Sequence, residues 1–305
     1  METDPVVVAR LRAAGCVFAE EEAAILTASA GTPAELDLMV ERRAGGEPIE
    51  QVVGWAEFAG LRVLVEPGVF VPRRRSEFLV EVAVRLASRQ DGTAGRVIAD
   101  LCCGTGALGL AVAAALSGAG GADGAGETGG TGGADRTGEA SGAGRAAERG
   151  GGPAAGGVRL GGVELHAADL DPAAVACARR NVEPAGGHVY AGDLFSALPD
   201  SLGRRIGVLI CNAPYVPTAE IAFMPAEARD HEALMALDGG TDGLAVLRRA
   251  ADGAVGWLAP GGALLVETSE RQAASMAAAM TAAGLAAQVH EDDESGATVV
   301  TGVAA

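Results

Sequence analysis

The sequence predicts an α/β protein built on a Rossmann-like, doubly wound sheet of seven strands, with a small helical region in front of it. Three observations carry the prediction. From residue 96 onward, strand-like apolar runs alternate with helix-like ones, the pattern of a parallel sheet joined by crossover helices. The first run ends in a glycine-rich turn, Asp100-Leu-Cys-Cys-Gly104-Thr-Gly106, where a strand hands over to a helix. The closing stretch, LAAQVHEDDESGATVVTGV, reads as two strands around an acidic turn, which adds one antiparallel pair.

Residues 1–45 carry apolar positions at helical intervals: Val8 and Leu11, then Ala24 and Ile25, then Leu36, Met39 and Val40. Breaks at Gly15 and at Gly31-Thr-Pro33 divide them, which predicts a small helical domain. Residues 46–76 change to short extended runs. Val63, Val65 and Val69 to Val71 favour strands and Pro67-Gly68 a turn, so a β-hairpin linker is expected here. Residues 77–305 form the main domain, with parallel strands expected at RVIADL (96–101), VELHAA (163–168), GHVYAG (187–192), GVLICN (207–212) and GALLVET (262–268). One stretch stands outside this plan. From about 117 to 162 the chain is almost wholly Gly, Ala, Ser, Thr and scattered charge, too little apolar surface to offset its ordering entropy, and a disordered insert is expected. It follows the helix after the first strand, so it emerges away from the strands' carboxyl ends, where ligands bind.

Composition excludes several function classes. The formal net charge of -17 means that the average surface repels nucleic-acid phosphate, which disfavours direct DNA binding. The 23 basic residues are all arginine; with no lysine, Schiff-base and lysine-base mechanisms are removed. His166, His188, His231 and His290 lie far apart without ligand spacing, so no metal is assigned. The cysteines, Cys16, Cys102, Cys103, Cys177 and Cys211, make an odd set without CxxC spacing and read as small, mostly buried residues in a reducing compartment. There is no basic start followed by an apolar run, and no apolar stretch nears the roughly 20 residues that a bilayer crossing needs. A soluble, cytoplasmic protein without a membrane partner is expected.

The glycine-rich turn marks a nucleotide-like cofactor. Asp100, Cys102, Gly104, Thr105 and Gly106 are its candidate residues, the glycines letting backbone come close where side chains would block it. The same glycines fit the dinucleotide pattern, so the turn alone leaves both S-adenosylmethionine and NAD open. Asp169, closing the next strand in AADLDP, stands where an acid accepts both ribose hydroxyls, with Leu170 beside it. Asp171 reads as the cap of a helix starting at Pro172. After the third strand, Asp193 is placed to accept from an adenine amino group, and Leu194 or Phe195 to cover the ring.

Asn212-Ala213-Pro214-Tyr215, at the end of the fourth strand, resembles the [ND]PP[YFW] motif of methyltransferases acting on planar nitrogens. An amide nitrogen has its lone pair delocalised into the carbonyl and is a poor nucleophile. The Asn212 side-chain carbonyl and the Ala213 backbone carbonyl can accept the two amide hydrogens, which raises electron density on nitrogen and fixes its approach. Pro214 and Tyr215 complete the acceptor site, the ring packing against the flat face of the target.

The likeness extends further. GEPIEQVVGWAEFAGLRVLVEPGVFVPRRRSEFLVE (46–81) and EARDHEALMALDGGTDGLAVLRR (227–249) resemble the glutamine-N5 methyltransferases of the HemK/PrmC type, which act on release factors. The resemblance implies a class I methyltransferase sheet, S-adenosylmethionine as cofactor, an N-terminal domain (1–45) that recognises substrate, and a protein substrate carrying the target glutamine. It also implies that Pro72 and Arg73 help to bind that substrate. The chain departs from the family pattern in three places. Ala213 replaces the first proline of the motif, PRPETE reads Pro72-Arg73-Arg74-Arg75-Ser76-Glu77, and the N-terminal region is short, which fits a related group of unknown substrate. The Arg73–Arg75 run reads as a solvated face or as an attractor for an acidic stretch of a partner.

Three other readings compete. An N6-adenine nucleic-acid methyltransferase would use the same Asn-Pro-Tyr logic with base flipping, against the acidic balance. An NAD-dependent oxidoreductase explains the glycines and Asp169 but leaves Asn212 to Tyr215 without a role. A non-catalytic S-adenosylmethionine-binding protein is permitted by Ala213 and the insert.

Overall fold

The computed structural model describes residues 4–90, 96–119 and 158–305. The insert expected at about 117–162 lies mostly outside the described residues, but its first residues, through Ala119, belong to a helix rather than to the insert.

The N-terminal region folds as α1 (Pro5–Ala13), α2 (Ala19–Ser29), α3 (Pro33–Ala44) and α4 (Ile49–Val53). Two of these helices start on side-chain caps followed by proline: Asp4 accepts from the Val6 amide and Thr32 from the Glu35 amide. Val7, Leu11, Leu26, Val40 and Val52 bury into a small core of their own. Inside it, Arg43 binds Glu22 through Nε at 2.8 Å and Nη2 at 3.0 Å.

A hairpin follows, β1 (Trp55–Phe58) and β2 (Leu61–Leu64). Its turn is at Ala59-Gly60, both at positive φ; Pro67-Gly68 does form the expected turn, with the Val69 amide donating to the Glu66 carbonyl at 3.1 Å, but it joins no strand pair. Val69 and Val71 are buried without joining a ladder, Val69 packing on Ala174 and Cys177.

The main domain comprises α5 (Glu77–Ala87), β3 (Val97–Leu101), α6 (Ala107–Ala119), β4 (Glu164–Asp169), α7 (Pro172–Val182), β5 (His188–Ala191), β6 (Ile206–Cys211), α8 (Ala226–His231), α9 (Ala245–Ala254), β7 (Leu258–Thr268), α10 (Glu270–Ala282), β8 (Ala286–Asp292) and β9 (Ala297–Val303). Its seven strands run in the order β5-β4-β3-β6-β7-β9-β8, and β9 is antiparallel to both neighbours. This is the class I methyltransferase sheet. Alternate residues feed two cores: Ile98, Leu165 and Ile210 face α5, α6 and α7, while Leu101, Leu209 and Leu264 face α9 and α10. Burial on both faces is why these strands read as unbroken apolar runs. Strand order reverses between β3 and β6, which opens a crevice at their carboxyl ends. Among the described residues, no helix is long and apolar enough to cross a membrane.

Candidate active site

One cavity occupies that crevice, and most of the sequence-predicted residues line it. Cys102, Gly104 and Thr105 contribute from the turn after β3, Asp169 and Leu170 from the end of β4, and Asp193 and Leu194 from beyond β5. Asn212, Ala213, Pro214 and Tyr215 face them from the end of β6, and Pro72 and Arg73 from the segment before α5. Asp100 and Gly106 are not among the lining residues. They act from behind. Asp100 is fully buried, its Oδ2 accepting from the Gly109 amide at 2.9 Å, and burial pushes its carboxyl up to about 7. A Cβ on Gly106 would fall 2.6 Å from Val182, so this glycine lets the start of α6 close on α7.

The turn is locked to β4. Asp169 Oδ2 accepts from the Gly104 amide at 2.8 Å and Oδ1 from the Asp171 amide at 2.9 Å, while burial raises its pKa against both bonds. Each carboxylate oxygen keeps a second lone pair for an incoming hydroxyl. Asp171 caps α7 as expected, accepting from Ala173. Asp193 is held by Arg249 at 2.6 Å, a partner on α9 absent from the sequence reading. Cys102, at φ 56°, places its thiol against Cys211; that contact and burial hold the thiol well above its ordinary range, which makes it a poor nucleophile.

On the β6 side of the cavity Asn212 is half-buried, with no hydrogen-bond partner for its side chain among the described residues. Tyr215 is fixed at both ends. Its hydroxyl donates to Glu267 at 3.1 Å, and its carbonyl accepts from Gln272 Nε2 at 2.8 Å. Residues 216–238 roof the cavity, tied down where Val216 bridges Asp238 and Gly68 bridges Glu232.

The arginine run divides: Arg74 is exposed as a solvated face would have it, while its two neighbours are paired. Arg73 pairs with buried Glu232, and Arg75 with buried Glu267 at 2.9 Å. Glu232 also accepts from the Val71 amide at 3.3 Å, its Oε2 is left without a partner among the described residues, and burial raises its pKa. The departure from PRPETE at position 75 thus ends in an ion pair beside Tyr215, with the Arg75 guanidinium over the tyrosine ring at 5.6 Å from its centroid. Sequence reasoning missed Glu232, Glu267, Gln272 and Arg249. The one available signal was the acid in GALLVET: a charge within a buried apolar strand needs polar partners from the segments packed around it.

Compared with proteins of known name, the chain is 30% identical over 266 residues to a release factor glutamine methyltransferase of Geobacter sulfurreducens, covering 87% of this chain and 75% of that one. It is 32% identical over 247 residues to the 4-amino-L-phenylalanine/4-methylamino-L-phenylalanine methyltransferase of Streptomyces pristinaespiralis, covering 80% and 69%. No protein-family model matches the chain. Among solved structures, the ribosomal protein L11 methylase of Lactobacillus delbrueckii subsp. bulgaricus is 10% identical at a TM-score of 0.45, covering 78% of this chain and 82% of that one. A likeness of that degree adds nothing to the sheet order.

Proposed function

The chain belongs to the release factor glutamine methyltransferase family, and from this premise we propose that it methylates the side-chain amide nitrogen of a glutamine in a protein substrate, a translation release factor, using S-adenosylmethionine. The observation that carries the reading is that the Asp169-anchored glycine turn and the Asn212–Tyr215 loop open onto one cavity from neighbouring strands. The donor set suits the cofactor. A Cβ on Gly104 would meet nothing within 4 Å, so the turn leaves open space, and Asp169 and Asp193 offer carboxylate oxygens to ribose hydroxyls and an adenine amino group. When bound, S-adenosylmethionine supplies an electrophilic methyl group on a sulfonium.

The chain's own residues handle the acceptor. Asn212 Oδ1 and the Ala213 carbonyl accept the two amide hydrogens, orienting the nitrogen lone pair toward the methyl group. Tyr215 packs against the amide plane. As the C–N bond forms, positive charge builds on nitrogen and both hydrogen bonds strengthen, so they stabilise the transition state more than the ground state. The methylated amide is strongly acidic and gives up its proton to water, without a dedicated base. Pro72 and Arg73 border the substrate side, and the helices of residues 1–45 are assigned to substrate recognition. A release-factor acceptor places the enzyme in the cytoplasm. The net charge of -17 counts against a nucleic-acid acceptor, and an NAD enzyme would leave Asn212 to Tyr215 idle.

A second reading is a small-molecule amine as acceptor, favoured by the likeness to the enzyme named for 4-amino-L-phenylalanine. Incubation of the protein with S-adenosylmethionine and either a release factor or that amino acid, read by mass spectrometry, separates the two. A gain of about 14 Da on a release-factor glutamine, the mass of one added CH₂, supports the first reading. A gain on the amino acid alone replaces it with the second.

A further inference from the structure

Three side chains from two segments of the chain converge on a carboxylate that the proposed chemistry leaves unused. Glu267, on β7, is 2% exposed. Its Oε1 accepts from the Tyr215 hydroxyl at 3.1 Å and lies 2.9 Å from Arg75 Nε as an ion pair, and its Oε2 accepts from the Ser76 hydroxyl at 2.5 Å. The two preceding positions on β7, Leu265 and Val266, are apolar and fully buried. A carboxylate in such a place is costly unless every oxygen is paired, and an apolar side chain of similar volume is often as stable or more so. Fold stability alone therefore gives little reason for an acid here.

What the carboxylate does have is a grip on the acceptor site. The tyrosine ring that would face the amide reaches Glu267 through its hydroxyl, while Gln272 holds the carbonyl of the same residue and also donates to the Asp242 carbonyl at 2.9 Å. With both ends fixed, the ring has one orientation available, and Asn212 lies three residues before it on the same loop. We propose that Glu267 is a positioning residue for methyl transfer, acting through Tyr215, with Arg75 supplying its counter-charge. This rests on the acceptor site assigned above. Loss of the Glu267 contact lets the ring and its loop move. The reacting nitrogen then drifts out of line with the methyl group, a displacement to which transfer rates are steeply sensitive.

The test uses E267Q, which keeps size but removes the charge, and Y215F, which removes only the donor; the second guards against a failure of E267Q to fold. Three quantities are measured on each variant and on the double mutant: S-adenosylhomocysteine affinity by calorimetry, single-turnover methyl transfer to a release factor, and the ¹³Cζ resonance of tyrosine. The chain has two tyrosines, Tyr190 and Tyr215, so the resonances are assignable from Y215F. Expected results are a transfer rate down by about 10- to 100-fold in each single mutant, a double mutant no worse than the slower one, and cofactor affinity within about 2-fold. The Tyr215 resonance should shift in E267Q while that of Tyr190 stays in place. Wild-type transfer in E267Q, equal loss of cofactor affinity, or an unmoved Tyr215 resonance overturns the proposal. If the unmutated protein does not methylate the release factor, the functional reading fails, and the resonance alone then decides whether Glu267 sets Tyr215.

Discussion

Residues whose chemistry is written into a short motif were legible one at a time. Asn212 and Asp169 could be named because each needs a particular functional group at the end of a strand, and both line the cavity. Glu267 was not, since a lone acid in an apolar run carries no spacing, nor was Glu232, one charge among several in EARDHEAL; the partners of both come from far along the chain. Two predictions belong at this scale. Asn212→Ala should slow single-turnover transfer by roughly 10²-fold, the scale of a deleted preorganised partner, with cofactor affinity within a few-fold. Equal loss of both would place Asn212 in the cofactor site instead. Asp169→Asn turns an oxygen that accepts from Gly104 or from Asp171 into a second N–H, setting donor against donor. Cofactor affinity measured by calorimetry should fall by about 1 to 3 kcal/mol, the scale of a lost hydrogen bond to a charged group.

Elements were legible in proportion to how completely they are buried. The inner parallel strands, covered on both faces, produced continuous apolar runs, and all the parallel strands, the half-exposed edge strand β5 included, were placed to within a residue or two, except that β7 begins earlier, at Leu258. The hairpin was misplaced for two physical reasons. Its turn, Ala59-Gly60, lacks the Asn-Gly or Asp-Gly pair that usually signals positive φ, and the valines after Pro67 are buried by a helix rather than by strand pairing. The anchoring of Tyr215 has a comparable hidden constraint. Gly243 sits at φ 77°, and a Cβ there would lie 2.2 Å from the Tyr215 carbonyl oxygen and equally close to Gln272 Nε2. Gly243→Ala should therefore displace the Asn212–Tyr215 loop and abolish most transfer while cofactor binding persists. Retained turnover in that variant would show that the loop tolerates displacement.

For the whole molecule, pH and long-range ion pairs set the balance. Asp100 has a folded pKa of about 7 against an ordinary 3.8, so the folded state holds the proton more tightly than the unfolded chain. The stability it contributes is complete below 3.8 and is lost as pH rises through 7. Asp100→Asn cannot titrate. Measured by denaturant unfolding, its stability relative to the unmutated protein should improve between about pH 5 and pH 8 by a few kcal/mol. His166 acts in the opposite sense: burial lowers its pKa, and its contribution is lost as pH falls through the ordinary histidine range. Arg43 joins the N-terminal helices to the roof, pairing with Glu22 and, at 2.6 Å, with Glu227 on α8. Arg43→Met would strand the buried Glu22 and should cost about 3 to 5 kcal/mol of unfolding free energy; a smaller loss would mean that Glu22 finds water.

The pairing of β3 with β6, in register at Leu101 and Cys211, has an evolutionary consequence. In the proposed reading the meeting point of methyl group and nitrogen is set by a backbone ladder, whereas the remaining walls of the cavity come from loops and short turns, residues 68–76 and 216–238. Those loops can diverge without shifting the meeting point. Lineages on this scaffold are thus free to exchange one planar nitrogen for another, and two relatives about equally distant from this chain carry names that differ in that way, one for a release factor glutamine and one for an arylamine.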